Sequence, residues 1–424
     1  MKFIFADALD MIDPKFDFVS DRVSFDRESY WSDVYPHEYF PKLPYDGVLI
    51  SRGIVGDDKF PGKYPADLMM RFRRVGAREF LRLTGPRYAR MSIFGDCGAF
   101  SYVDHDIPPY TPEMMLEFYA DGQFTHGCSV DHIIFDFDTE AQGIRGGSTS
   151  ARHRYEITLE NASAFFKASR GMRRGFTPLG VVQGWSPASM GRAAQKLTKM
   201  GYGYLAVGGM VPLNARQIHL CLQAIRAEIP SKIKLHLLGF AKAEQIHEFT
   251  RYGVASFDTT SPLRRAFKDA RANYYQPNRT GTLNYFSAIR VPQATENTRL
   301  KRRAKSSGTN QEHLLEQEQS ALHHLRRYDQ GRESLSSTLQ AVMTYGREFL
   351  WDARRTEVAN NRALEMATAA ARETLQHKPW TRCRCKVCRE AGIETIIFRG
   401  SNRNKRRGFH NIFVFNEHLK RILK

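Results

Sequence analysis

Up to about residue 275 the chain alternates short apolar runs with stretches of helical periodicity. The runs Lys2–Ala6, Gly47–Ser51, Arg90–Gly95, Asp131–Asp138, Thr177–Gln183, Tyr204–Gly208, Lys234–Gly239 and Val254–Asp258 have the length and composition of strands. Between them, Pro112–Asp121, Arg152–Ser169, Pro187–Met200, Ala215–Ile229 and Lys242–Tyr252 read as amphipathic helices. Eight strands alternating with helices over this length predict an α/β fold of the (β/α)8 TIM-barrel type. An open, doubly wound sheet gives a similar string.

In a barrel, active-site residues sit at the C-terminal ends of the strands. Those ends carry Asp96, Asp136 and Asp138, Gln183-Gly184, Gly208-Gly209, Leu238-Gly239 and Asp258. Within Ile133-Ile134-Phe135-Asp136-Phe137-Asp138, strand alternation sends both carboxylates to one face and both rings to the other. The expectation is therefore two lumenal Asp residues, with Phe135 and Phe137 packed beneath helices.

The pattern changes near Asn273. Residues 295–308 are polar and basic, and 311–375 are almost wholly helical in periodicity. We expect a barrel over 1–275, a basic linker and helical insertion over 276–378, and a small C-terminal module over 379–424.

Charge adds a partner class. Lys and Arg outnumber Asp and Glu by 63 to 45, a net +18, with a pI near 9.7. Such a surplus is expected of a protein that meets a polyanion. The chain has no 18-residue apolar span and no basic leader with a cleavage site, so a cytoplasmic location without membrane contact is expected. Three of its six cysteines, Cys383, Cys385 and Cys388, fall within six positions, and His410 follows. Three thiolates and one imidazole suit tetrahedral, structural zinc. His418 is the alternative fourth ligand. Arg382, Arg384, Lys386 and Arg389 give this knuckle a cationic rim, suited to phosphate.

Two strand-end carboxylates, Asp96 and Asp258, are the minimum for displacement at an anomeric carbon: one attacks, the other manages the proton. Strand-end Asp residues also commonly cap loops and helices. A lumenal Asp can accept two N–H groups from a guanine-like edge, and Gln183 adds an amide. Gly208-Gly209 leaves bare backbone beside a flat base, with Phe100 and Leu238 available for its faces. Together these residues describe a purine pocket.

FGDCGAF, VVQGW, YLAVGGM, LHLLGF, ASFDTTSP and CRCKVC…FHN occur here in the order of the motifs of the tRNA-guanine transglycosylase family. The chain resembles that family from about residue 45 to 265 and again in the cysteine module. The resemblance implies a zinc-bearing TIM barrel that exchanges guanine in nucleic acid for a 7-deazaguanine through an aspartyl intermediate. Carried over by motif, Asp258 is the nucleophile and Asp96 the general acid/base. Phe100, Gln183, Gly209 and Leu238 match base-pocket positions, flanked by Gly184, Gly208 and Gly239. Cys383, Cys385, Cys388 and His410 match the zinc ligands. Asp136 and Asp138 both fit the base-reading Asp.

The departures bear on the polymer. Gly98-Ala99-Phe100-Ser101 replaces the usual Gly-Gly-Phe-Gln, and TTSPLRR replaces a Leu-Pro-Thr-Arg run. With the N-terminal segment and the helical insertion, these features resemble the DNA-modifying branch, which places 7-cyano-7-deazaguanine (preQ0) in DNA. The expected partners are DNA, or tRNA as the alternative, and preQ0 free base, with a companion ATPase for opening a duplex. Arg264, Arg265, Arg299, Lys301, Arg302, Arg303 and Lys305 are the expected phosphate contacts. A silent nucleic-acid-binding member has no need of the Asp96/Asp258 pair. A barrel hydrolase of free nucleosides leaves the charge and the knuckle unexplained.

Overall fold

The computed structural model describes residues 1–57, 60–141, 146–240, 242–269, 271–278, 282–298, 300–302 and 310–423. The chain divides into two compact units, the first built from residues 1–9 and 45–261, the second from 10–44 and 262–422.

The first unit is a closed barrel of eight parallel strands. In order they are β1 (Lys2–Ala6), β2 (Gly47–Ser51), β3 (Ser92–Asp96), β4 (His126–Cys128), β5 (Thr177–Val182), β6 (Tyr204–Val207), β7 (Lys234–Leu237) and β8 (Val254–Thr259). The outer helices include α1 (Ala66–Phe80), α2 (Pro112–Asp121), α3 (Thr149–Ala168), α4 (Pro187–Met200) and α5 (Ala215–Glu228). Their starts follow local chemistry. Thr111 caps α2 ahead of Pro112, Ser186 and Ser189 form a capping box at α4, and Asn214 and Gln217 form one at α5.

One expected strand is corrected. The fourth strand is His126–Cys128, and 131–138 lies beyond it without ladder partners. The reason is a ring. Tyr119 of α2 lies against the backbone of β3 and β4, where a Cβ on Gly95 would meet it at 2.2 Å and one on Gly127 at 2.5 Å. Its hydroxyl donates to the Cys128 carbonyl at 2.8 Å. Glycine is required where the helix approaches this closely, so β4 lacks the β-branched signature of a strand.

The second unit holds a helical segment and the cysteine module. Helices α6 (Gln311–Asp329), α7 (Leu335–Leu350) and α8 (Glu357–His377) bury Leu314, Leu322, Leu325, Leu339, Val342 and Leu375. A short helix, α9 (Lys386–Ala391), and the long α10 (Ser401–Ile422) follow. The basic start of α10 is buried: Arg399 just before it, then Arg403, Arg406 and Arg407 within it, are under one-tenth exposed. Arg399 and Arg403 both pair with Asp21, Arg399 also with Glu318, and Arg403 with Glu394. Arg407 donates to the carbonyls of Ala266, Thr395 and Ile397.

Removing one member of such a network leaves an uncompensated buried charge, at a cost of about 3–5 kcal/mol. Asp21→Ala is expected to destabilise the fold by about 3 kcal/mol in urea titrations. Asp26→Ala, which breaks the exposed pair with Lys15, should leave the midpoint unmoved.

Candidate functional site

Strand alternation turns Ser51, Asp96, Gln183 and Asp258 inward at the C-terminal mouth of the barrel. Asp258 is 5% exposed. Its Oδ1 accepts from the Gly239 amide at 2.9 Å and meets His236 Nε2 at 3.2 Å. Gly239 sits at φ +59°, a left-handed conformation that turns its N–H to the carboxylate.

Asp96 closes β3. Gly98, at φ +84°, donates its N–H to Oδ2 at 3.0 Å. Burial, reinforced by the charges of Asp131 and Asp258, pushes the Asp96 pKa up to about 7. The Gly98 amide and the Ser51 hydroxyl pull the other way. A carboxyl poised near neutrality both gives and takes a proton.

A third carboxylate, Asp131, completes the mouth and was not among the sequence candidates. It is 2% exposed; Oδ1 accepts from the Cys97 thiol at 3.1 Å and Oδ2 from Gln183 Nε2 at 2.7 Å. Tyr102 donates to Cys97 Sγ and to the Asp131 carbonyl. Burial also raises the Asp131 pKa. Asp136 and Asp138, expected in the lumen, are exposed instead. Asp136 accepts from Ser148 Oγ at 2.5 Å, and Asp138 Oδ1 accepts from the Glu140 amide at 2.8 Å. With β4 ending at Cys128, the residue that points in near its end is Asp131. Alternation carried on from His126 and Cys128 would have pointed to position 130, so no strand pattern singles out Asp131.

The remaining candidates fall into distinct places. Gln183 is buried, and a Cβ on Gly208 would meet its Nε2 at 2.4 Å, so the bare backbone there accommodates the amide. Gly209, at φ +70°, lies beside Gln183 Oε1. Gly184 packs against Ser189 and Met190 at the start of α4. Leu238 packs, half-buried, on the barrel core. Phe100 is 60% exposed and lies 6.0 Å from Phe135, which is 44% exposed. Phe135 was expected beneath a helix; the two rings form an open aromatic pair instead. Arg264 is exposed, Arg265 lies over the Tyr285 ring, and Lys301 and Arg302 are exposed. Arg299, Arg303 and Lys305 lie outside the described residues.

In the second unit Cys383, Cys385, Cys388 and His410 bring their ligand atoms within 4.8 Å of one another. His410 Nδ1 stands 3.6, 3.3 and 3.4 Å from the three sulfurs. A tetrahedron with Zn–S of about 2.3 Å and Zn–N of about 2.0 Å has an S···N edge of roughly 3.5 Å. His410 Nε2 donates to the Tyr275 carbonyl at 2.8 Å, which leaves Nδ1 free to ligate. The donor set can hold a metal ion and fits zinc. The module also borders a cavity of about 1030 Å³ lined by Lys42, Arg382, Arg384, Lys386 and Arg389. Lys386 pairs with Glu390, whereas Arg382, Arg384 and Arg389 have no acidic partner among the described residues.

No protein-family model matches the chain. It is 40% identical to the DNA-guanine transglycosylase of Salmonella montevideo over 425 positions, covering 100% of this chain and 97% of that protein. Part of it is 35% identical to the queuine tRNA-ribosyltransferase of Thioalkalivibrio sulfidiphilus (strain HL-EbGR7), over 32% of this chain and 36% of that one. A similar match, 26% identical, joins 39% of this chain to 42% of the queuine tRNA-ribosyltransferase of Roseiflexus sp. (strain RS-1). The chain belongs to the tRNA-guanine transglycosylase family, on the branch of its full-length DNA-guanine transglycosylase relative. No helix among the described residues is long and apolar enough to cross a membrane.

Cys385→Ser removes a thiolate whose Sγ also accepts from the Cys388 amide at 3.4 Å. Purified protein is expected to lose bound zinc and to unfold earlier in its second unit. Stoichiometric zinc with an unchanged melting profile would remove this residue from the ligand set.

Proposed function

We propose that the protein exchanges guanine in DNA for preQ0 through a covalent deoxyribosyl-aspartyl intermediate, in the cytoplasm. The observation that carries the reading is Asp258 and Asp96 facing one barrel mouth, the second held near neutral pKa. The full-length likeness to a DNA-guanine transglycosylase supports the polymer.

A target deoxyguanosine leaves the stack, at a cost of a few kcal/mol, and enters the mouth. Asp258 attacks C1′ as the C1′–N9 bond breaks, and Asp96 gives its proton to the departing guanine. The incoming base then loses its N9 proton to Asp96, attacks C1′ and displaces the Asp258 carboxylate. Two inversions give net retention. One N-glycosidic bond replaces another, so the exchange itself needs no energy source. Opening the duplex is a separate task, assigned here to a companion ATPase.

Gln183 and Asp131 are the groups suited to a purine edge. Phe100 and Phe135 are the rings suited to stacking on extruded bases. Bound zinc is structural in this reading: it ties α9 to α10 and takes no part in the chemistry. Arg264, Arg265, Lys301 and Arg302, with the exposed knuckle arginines, are the phosphate contacts.

The Asp96 pKa sets opposite pH limbs for the two half-reactions. Adduct formation needs the protonated acid, so its rate should hold below pH 7 and fall about tenfold per unit above. Discharge by the incoming base needs the carboxylate and should fall as pH drops below 7. Asp96→Asn is expected to flatten both limbs and to slow both halves. Asp258→Asn should form no adduct on denaturing gels; an adduct at the wild-type level would move the nucleophile elsewhere.

The polymer is tested with matched DNA and tRNA at equal salt, with any required partner present. Incorporation into DNA is expected, and robust incorporation into tRNA alone would overturn the assignment. Arg264→Glu and Arg382→Glu should each weaken DNA binding across sequences and lower its salt slope by about one, leaving free-base binding intact.

A further inference from the structure

The lumen below Asp258 holds a line of polar groups that take no part in the two displacement steps. Tyr204 of β6, His236 of β7 and Ser256 of β8 all turn inward, and His236 and Ser256 are fully buried. Tyr204 Oη lies 2.6 Å from Ser256 Oγ, Ser256 Oγ lies 2.6 Å from His236 Nδ1, and His236 Nε2 lies 3.2 Å from Asp258 Oδ1. The Phe94 ring stacks on the His236 imidazole, at 4.9 Å and 25°, and fixes its plane.

The proton directions follow from the inventory of donors. A carboxylate offers only acceptors, so His236 Nε2 carries the proton it gives to Asp258. Nδ1 then accepts from the Ser256 hydroxyl, and the Ser256 oxygen accepts from Tyr204. Each hydroxyl donates once, and every polar group in the line is satisfied. The line runs one way and ends on Asp258 Oδ1, which also takes the Gly239 amide. Oδ2 takes no donor among the described residues.

We infer that His236, held by Ser256 and Tyr204, is a positioning residue that makes Oδ2 of Asp258 the attacking atom and Oδ1 the seat of charge when that carboxylate leaves. The inference rests on Asp258 as the nucleophile and names the device that controls it. When C1′ bonds to Oδ2, Oδ1 becomes the ester carbonyl oxygen, still facing the Gly239 amide and the His236 Nε2–H. In the return step the incoming base bonds to C1′, its N9 proton goes to Asp96, and the C1′–Oδ2 bond breaks. The electron pair of that bond returns to the carboxylate, whose charge spreads onto Oδ1. Two preorganised donors wait there, in the manner of an oxyanion hole. In the forward step the same donors already satisfy the starting carboxylate. Their net effect on attack is therefore orientation, and their larger effect is on departure.

This asymmetry gives a signature that a merely structural role lacks. In His236→Leu, which keeps much of the side-chain volume, single-turnover discharge of the adduct should slow by about a hundredfold. Adduct formation should slow less, so the covalent species accumulates at steady state. The affinity of the adduct for the free base and the affinity for DNA should stay unchanged. His236→Gln, whose amide can still donate to Oδ1, is expected to restore much of the discharge rate. Tyr204→Phe and Ser256→Ala, which shorten the line but keep the imidazole, should slow discharge severalfold, and they carry the test if His236→Leu fails to fold. Equal slowing of both halves with a lowered melting temperature, or wild-type discharge in His236→Leu, would overturn the inference. An adduct retained by Asp258→Asn would instead overturn the nucleophile assignment beneath it.

Discussion

Closure of β1 onto β8 is the constraint on which the site depends. The two strands pair in parallel with Lys2 opposite Ser256 and Ile4 opposite Asp258. Side chains alternate with a period of two, so a slip of one residue would send Asp258 to the helices and bring Phe257 inside. Aromatic packing guards against that slip. Phe257 stacks on Phe3 outside the barrel, at 5.6 Å and 17°, and meets Phe240 edge-on. The stack that holds the outer face in register also holds Ser256 and Asp258 in the lumen.

Closing the barrel brings Asp96, Asp131 and Asp258 toward one another, and each is handled differently. Asp258 receives a backbone amide and an imidazole, and Asp131 receives a thiol and a side-chain amide. Asp96 receives the Gly98 amide, and burial, reinforced by the charges of Asp131 and Asp258, raises its pKa to about 7; burial raises Asp131 as well. Like charges in a shared, dry site push titrations apart.

The barrel was legible where strands are apolar runs ending in chemistry: β3 ends in Asp96, β5 runs into Gln183 and β8 carries Asp258. It was not legible at β4, because Gly127 answers to the Tyr119 ring and not to strand propensity, while Ile133–Asp138 mimics an alternating strand. That displacement explains why Asp131 was overlooked and why Phe135 emerges beside Phe100. His236 was hidden for another reason. A polar residue inside the buried run Leu235-His236-Leu237 signals a lumenal partner, but only closure puts Ser256 and Tyr204 beside it. The cysteine cluster was readable because its three thiolates are local in sequence and need only one distant imidazole.

Charge is the coarsest of the sequence signals, and the second unit shows why. The segment from Arg399 to Arg407 is rich in Arg and Lys, yet burial lowers the pKa of Arg403 to about 10 and of Arg407 to about 9. Their guanidinium groups hold Asp21, Glu394 and main-chain carbonyls, so they hold α10 and contribute little to a phosphate surface. That helix in turn presents His410 to the three thiols. Asn411, the next residue, accepts from the Tyr275 amide and donates to the carbonyls of Pro262 and Asn273. The buried arginines therefore anchor the helix that brings His410 to the thiols. Arg382, Arg384 and Arg389, by contrast, stay exposed beside the cysteine cluster. A net charge of +18 predicts a polyanion only through the fraction that stays in water, and the buried arginines at the start of α10 are not part of it.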